Sequence, residues 1–143
     1  MSRAVCIDRN GGPEELKLVD VQVGDPGPGD IRIRHKNAGL NFIDVYQRSG
    51  LYALPMPLMM GMEASGVVEA VGEGVTQVAV GDRCSVEPYI NCQKCHSCRR
   101  GHTNCCHNHQ TLGVHCDGGL RRLFTVPARK LHRSQRLNFS QLA

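Results

Sequence analysis

Apolar and polar residues alternate along several short runs of this chain, and each run stops at a cluster of Gly, Pro or Asp. Asp30–Asn37 shows it best. Ile31 and Ile33 point one way and Arg32 and Arg34 the other, the period of a half-buried strand. Arg3–Asp8 precedes the turn Gly11-Gly12-Pro13, and Leu16–Val23 runs into the Gly- and Pro-rich stretch Gly24 to Gly29. Gly66–Val71, Arg83–Glu87 and Leu120–Val126 read as further strands. One helix is expected at Phe42–Ser49, where Phe42, Val45 and Tyr46 share a face, Asn41 sits at the cap and Gly50 can end it. Ser140 to Ala143 reads as the first turn of another helix. Neither a repeat nor a linker interrupts the order. The expectation is a mainly β fold with short helices, closed as a barrel.

A chain of 143 residues suits one domain with a core of its own. With 41% hydrophobic and 21% charged residues it does not have the composition of a disordered segment. The net charge of +4 is small and scattered, so no nucleic-acid partner is expected. The longest apolar stretch, Ala53 to Met62, is too short to span a bilayer and contains Pro55 and Pro57. Arg3, Asp8 and Arg9 interrupt any apolar leader. No membrane partner is therefore expected, and the expected location is the cytoplasm.

The 8 cysteines change the picture. Without an export signal they point to metal or free thiols before disulfides. Cys92, Cys95, Cys98 and Cys106 lie close in sequence, and four soft thiolates suit the tetrahedral cage that zinc takes in structural sites. A second argument is independent of spacing. From Lys94 to Gln110 no residue except cysteine is apolar, so hydrophobic burial cannot order this segment. Ordering backbone costs about 1–2 kcal/mol per residue, which a metal staple can offset. Free or paired thiols, an iron–sulfur cluster and a zinc module for nucleic acid are the competing readings. The ferredoxin continuation to a fourth Cys followed by Pro is missing, and no aromatic residue is interleaved with Lys94, Arg99 and Arg100. Spacing alone does not choose between Cys105 and Cys106. His96, His102, His107, His109 and His115 crowd the same region and read as solvated loop residues, while Cys6, Cys84 and Cys116 read as apolar filler.

The stretch Asn41 to Tyr52, with Gly11-Gly12-Pro13-Glu14, Gly66 to Gly72 and Gly81-Asp82-Arg83, resembles bacterial NADPH-dependent quinone oxidoreductases. Those belong to the medium-chain dehydrogenase/reductase superfamily, whose N-terminal half is a GroES-like β-barrel. The cysteine lobe, about residues 88–110, is instead similar to the zinc-containing alcohol dehydrogenase branch. So are Glu87-Pro88-Tyr89, Leu112-Gly113-Val114-His115 and Asp117-Gly118-Gly119. That resemblance implies one structural zinc, with the fourth ligand at Cys106. It also places two ligand positions of the branch's catalytic zinc on Asn41 and Met62, neither a good zinc ligand. The two resemblances meet near residue 84, as in a chimera of two branches, natural or engineered, or in a single zinc-bound branch that lost its active-site ligands.

Hydride transfer from NAD(P)H belongs to the parent family, and it needs a glycine-rich turn between strand and helix. The nearest match, Gly72-Glu73-Gly74-Val75-Thr76-Gln77, ends in Gln and leads into turn signals, so no dinucleotide-binding domain is expected within residues 1–143. Asn41, Tyr46, Tyr52 and Glu63 occupy family positions at the catalytic cleft. Their plainer roles are a helix cap for Asn41, ring packing for Tyr46 and a buried hydrogen-bonded carboxylate for Glu63. Met56, Met59, Met60 and Met62 read as core filler near the cleft floor. The functional expectation is a zinc-binding GroES-like domain without turnover of its own. The alternatives are the N-terminal part of an active NAD(P)H-dependent quinone or alcohol oxidoreductase, and a zinc-dependent interaction module. Self-association through the surface left by a missing domain is the expected partnership.

Overall fold

The computed structural model describes residues 1–143. Three antiparallel sheets build it. β1 (Ser2–Ile7) pairs with β2 (Lys17–Val21) on one side and the short β4 (Leu58–Met59) on the other. The largest sheet centres on β3 (Asp30–Asn37), β5 (Ser65–Val71) and β6 (Arg83–Val86). A two-stranded ribbon, β7 (Tyr89–Ile90) with β8 (Gln110–Thr111), forms the root of the cysteine lobe. β9 (Leu123–Pro127) and β10 (Leu131–Arg133) flank the large sheet, giving the order β10-β6-β5-β3-β9.

Alternation in β3 decides which side is core. Ile31 and Ile33 are fully buried, opposite Val71 and Val68 on β5 and Val126 and Phe124 on β9. Burying such a side chain contributes roughly 1.5–3 kcal/mol. Arg32 and Arg34 turn to the other face, where both bind the Glu69 carboxylate. Cys84 completes the core at zero exposure, and burial pushes its thiol up to about 12, as befits filler. A smaller cluster of Ile7, Leu58 and Met60 packs beneath β1. Met60 is thus core, Met56 flanks it, and Met59 and Met62 are half-buried.

Two expected strands change on folding. Leu16–Val23 contracts to Lys17–Val21. Leu120–Val126 divides between two sheets. The Leu120 carbonyl accepts from Val5 N at 2.8 Å and Arg121 bridges to Ala4, whereas from Arg122, whose carbonyl accepts from His35 N at 2.9 Å, the chain bonds to β3. β4, β7, β8 and β10 are two or three residues long, too short for a period to show.

The helix α1 spans Phe42–Ser49 as expected, and Gly50 ends it in the left-handed conformation at φ 86° that only glycine adopts freely. Its apolar face is turned to the outside. Phe42, Val45 and Tyr46 face outward, whereas the buried residues are Asp44 and Gln47. Polar side chains face inward because each finds a partner there: Asp44 Oδ2 accepts from Asn41 N at 2.8 Å, and Gln47 Nε2 donates to the Gly113 carbonyl at 3.0 Å. Two short helices remain, α2 (His96–Arg99) in the lobe and α3 (Phe139–Leu142) near the end, the latter capped by Asn138. No helix is long and apolar enough to cross a membrane.

Candidate metal centre and the adjoining cleft

The lobe leaves the barrel at Ile90 and returns at Gln110, so the β7–β8 ribbon brings its two ends together. Arg129 Nη2 also donates to the Asn91 carbonyl at 3.1 Å, tying the start of the lobe to the barrel. Within it, the sequence between Cys92 and Cys95 makes a tight knuckle. Gln93 adopts φ 61°, an uncommon conformation for a residue with a side chain, and this turns Cys95 N towards Cys92 Sγ at 3.4 Å. Cys98 is buried on α2, whose first turn closes through Arg99 N to the Cys95 carbonyl at 3.0 Å.

The chain returns past Cys106, which is also buried and whose sulfur accepts from Cys92 N at 3.3 Å. The four sulfur atoms of Cys92, Cys95, Cys98 and Cys106 all lie within 4.8 Å of one another, and Cys95 Sγ and Cys106 Sγ are 4.0 Å apart. A zinc tetrahedron with Zn–S near 2.3 Å has edges of about 3.8 Å, so the donor set and its spacing fit that ion. All eight cysteines are free thiols in this arrangement.

Backbone N–H groups of Lys94 and Cys95 lower the Cys92 thiol, and those facing from Cys98 and His107 lower Cys95 to about 6. Burial pushes Cys98 up to about 12. Cys105 is exposed and outside the quartet, as are His96, His102, His107, His109 and His115. His109 instead packs edge-on against His115, with ring centroids 5.6 Å apart.

A separate cleft of about 460 Å³ lies between the start of α1 and the segment before β5, lined by Asn41, Phe42, Ile43, Met62, Glu63 and Pro88. Asn41 occupies the cap position, in a capping box with Asp44. Its Nδ2 donates to Glu63 Oε1 at 2.7 Å, while its backbone N–H binds Asp44. Glu63 is half-buried and packs against Gly39, where a Cβ would meet its carboxylate. Burial raises the Asp44 carboxyl above its ordinary range, opposed by the Asn41 N–H and reinforced by Glu63. Tyr46 does not pack into the core. It stands exposed between Phe42 and Tyr52, at ring centroid distances of 6.2 and 5.6 Å. Asn41 and Glu63 are therefore brought together, and Tyr46 and Tyr52 form a pair beside them on the open face. The glycine-rich stretch at residues 72–77 lies in the turns after β5, with no helix following it. Gln47 was not singled out by pattern, because its partner is 66 residues away.

Residues 27–136 match the model of the alcohol dehydrogenase GroES-like domain. The chain belongs to that family. Its relatives come from both branches of the medium-chain superfamily. The starvation-sensing protein RspB of Escherichia coli is 37% identical over 119 residues, covering 82% of this chain and 35% of its own. A quinone oxidoreductase of Pseudomonas aeruginosa is 49% identical over 84 residues, covering 58% of this chain and 26% of its own. Among solved structures, a thermostable alcohol dehydrogenase from Pyrobaculum aerophilum with cobalt and zinc bound superposes with a TM-score of 0.86. It is 35% identical, over 96% of this chain and 42% of that one. This GroES-like domain thus spans about a quarter to a third of the length of the curated relatives it matches.

Proposed function

We propose that this chain is the zinc-stapled barrel domain of an NAD(P)H-dependent quinone or alcohol oxidoreductase. Cys92, Cys95, Cys98 and Cys106 bind one zinc ion as a structural cross-link, and the domain alone turns over no substrate. The supporting observation is the sulfur quartet, convergent in a segment with no apolar anchor except its cysteines. Zinc would supply charge neutralisation and a rigid tetrahedral node, with every coordination position taken by protein. A second, catalytic zinc does not suit the cleft, because the Asn41 amide is engaged by Glu63 and Met62 offers only a thioether. No strand, glycine-rich turn and helix unit is present in these residues to grip a dinucleotide, so no hydride step is assigned to Asn41, Tyr46, Tyr52 or Glu63. The cytoplasm, where reduced thiols are maintained, is the compartment that suits a free-thiol quartet.

Elemental analysis of the purified chain should give about one zinc and no iron per molecule, without absorption near 400 nm. NADPH consumption with a quinone should stay at the buffer rate. Substoichiometric zinc overturns the metal assignment, and turnover that scales with protein overturns the inactivity.

A second reading is favoured by one observation, the exposed apolar face of α1. Leu40, Phe42, Leu51 and Tyr52 are exposed beside Val45 and Tyr46. A face of this kind fits a domain that works only when covered, by the remainder of an oxidoreductase or by a second copy of itself. Light scattering across a dilution series separates these. A size that grows with concentration identifies self-association, and a constant monomer size leaves the face for another domain.

A further inference from the structure

We propose that the groove between β1, the end of β3 and the segment entering β9 binds a compact oxyanion, a phosphate group either free or carried on a small ester. The groove has a volume of about 330 Å³ and shares no lining residue with the cleft around Asn41 and Glu63. Arg3, Lys36, Arg121 and Arg122 line it, His35 contributes to it, and none of its eleven lining residues is acidic. The crowding is enforced by the fold. Arg122 N donates to the Arg3 carbonyl at 2.9 Å, and His35 N donates to the Arg122 carbonyl at 2.9 Å. Those two bonds stitch three chain segments side by side and hold their cations at one seam.

Most other basic groups on the barrel have a carboxylate partner. Arg9 binds Glu15, Lys17 binds Asp8, Arg32 and Arg34 share Glu69, Lys130 binds Glu87, and Arg133 binds Asp82. In the groove only Arg121 does, meeting Asp117 at 2.6 Å. Its Nε donates to the Gly118 carbonyl at 3.1 Å and its side chain is 7% exposed, so its guanidinium is fixed in place before any ligand arrives. Arg3, Lys36 and Arg122 form no ion pair, although Asp20 lies opposite Arg3 on β2.

The His35 ring packs edge-on against Phe124, with centroids 5.8 Å apart, and forms part of the wall of the groove. Unpaired cations held together repel, and an oxyanion relieves that repulsion while accepting charge-assisted hydrogen bonds from each. A bare phosphate suits the chemistry, and the volume leaves room for a small alcohol esterified to it.

The test is calorimetric titration of the intact chain with inorganic phosphate and, separately, with glycerol phosphate, against sodium chloride at matched ionic strength. Saturable binding is expected with a dissociation constant of about 1 mM or tighter. A shift of the His35 ring resonance in NMR should accompany it. The double variant Lys36→Gln with Arg122→Gln should bind about tenfold more weakly or not at all, corresponding to about 1.4 kcal/mol. Both residues are exposed, so its thermal midpoint should stay at the parent value. Arg3→Gln is a separate arm that keeps the test open should that variant fold poorly. Tighter binding of the ester identifies a phosphomonoester as ligand, and equal binding identifies the phosphate group alone. Heats matched by chloride, or affinity unchanged in both variants, overturn the proposal.

Discussion

The barrel and the cysteine lobe are ordered by opposite means. In the barrel, Ile31, Ile33, Val68 and Phe124 interdigitate from three strands, and burial of apolar area fixes the chain wherever the alternation runs. Between Lys94 and Gln110 the lobe has no apolar residue but cysteine, yet it doubles back twice and buries Cys98 and Cys106. One region is held by many weak contacts spread over a sheet, whereas in the other four sulfur atoms that could bind zinc converge on one point. Damage should follow the same division: diffuse and graded in the barrel, abrupt and local in the lobe.

The largest expected effect is at the lobe. Structural zinc contributes about 10–16 kcal/mol in small zinc-dependent peptides, so chelation or Cys98→Ser should open residues 91–110 to protease. Amides of β3 and β5 should keep their exchange protection. Simultaneous loss of protection in the barrel would show that the two regions are one cooperative unit. Next comes the core itself. Phe124→Ala should cost about 3–5 kcal/mol in urea unfolding, with zinc stoichiometry unchanged in the fraction that remains folded.

A third effect depends on pH. Burial holds the His35 imidazole down to about 4, from 6.5, with the carbonyls of Arg121 and Gly119 pulling weakly the other way. Its stabilising contribution is complete above pH 6.5. As pH falls towards about 4 the unfolded chain takes up a proton that the buried ring refuses, and that contribution is lost. Unfolding at pH 7 and pH 4.5 should show the difference, and His35→Gln should flatten it.

The smallest change is at the junction of the two regions. Gln47→Leu leaves the buried Gly113 carbonyl without its donor and should cost about 1–3 kcal/mol. Exchange at Gly113 and at α1 should rise together in this variant. A loss confined to α1 would remove Gln47 as the tie between helix and lobe root.

What could be read from the sequence divides along the same line. β3 declared itself through Ile31 and Ile33 against Arg32 and Arg34, and the lobe through the spacing of Cys92, Cys95 and Cys98, because both signals are local. Gly50 marked where α1 stops. The facing of α1 was hidden, since pattern assigns apolar side chains to the core. Here the interior next to the helix offers a carbonyl to Gln47, and the Asn41 N–H holds Asp44. Asn41 was legible as a cap position, but its bond to Glu63 was not. That bond depends on a fold that brings residues 22 apart into contact. The run from Leu120 looked like one strand because no Gly, Pro or Asp interrupts it while the chain moves from β1 to β3.

The pairing of β3 with β9 has a consequence for synthesis. One edge of residues 30–34 pairs with β5, but the other finds its neighbours only at 123–127, and the Ser2 hydroxyl accepts from Leu123 N. A nascent polypeptide leaving the ribosome therefore displays all four thiols of the quartet while one edge of β3 is still unpaired. Capture of the proposed zinc would thus precede closure of the sheet, pinning the long excursion between residues 91 and 110 and shortening the search that β9 must make to reach its place.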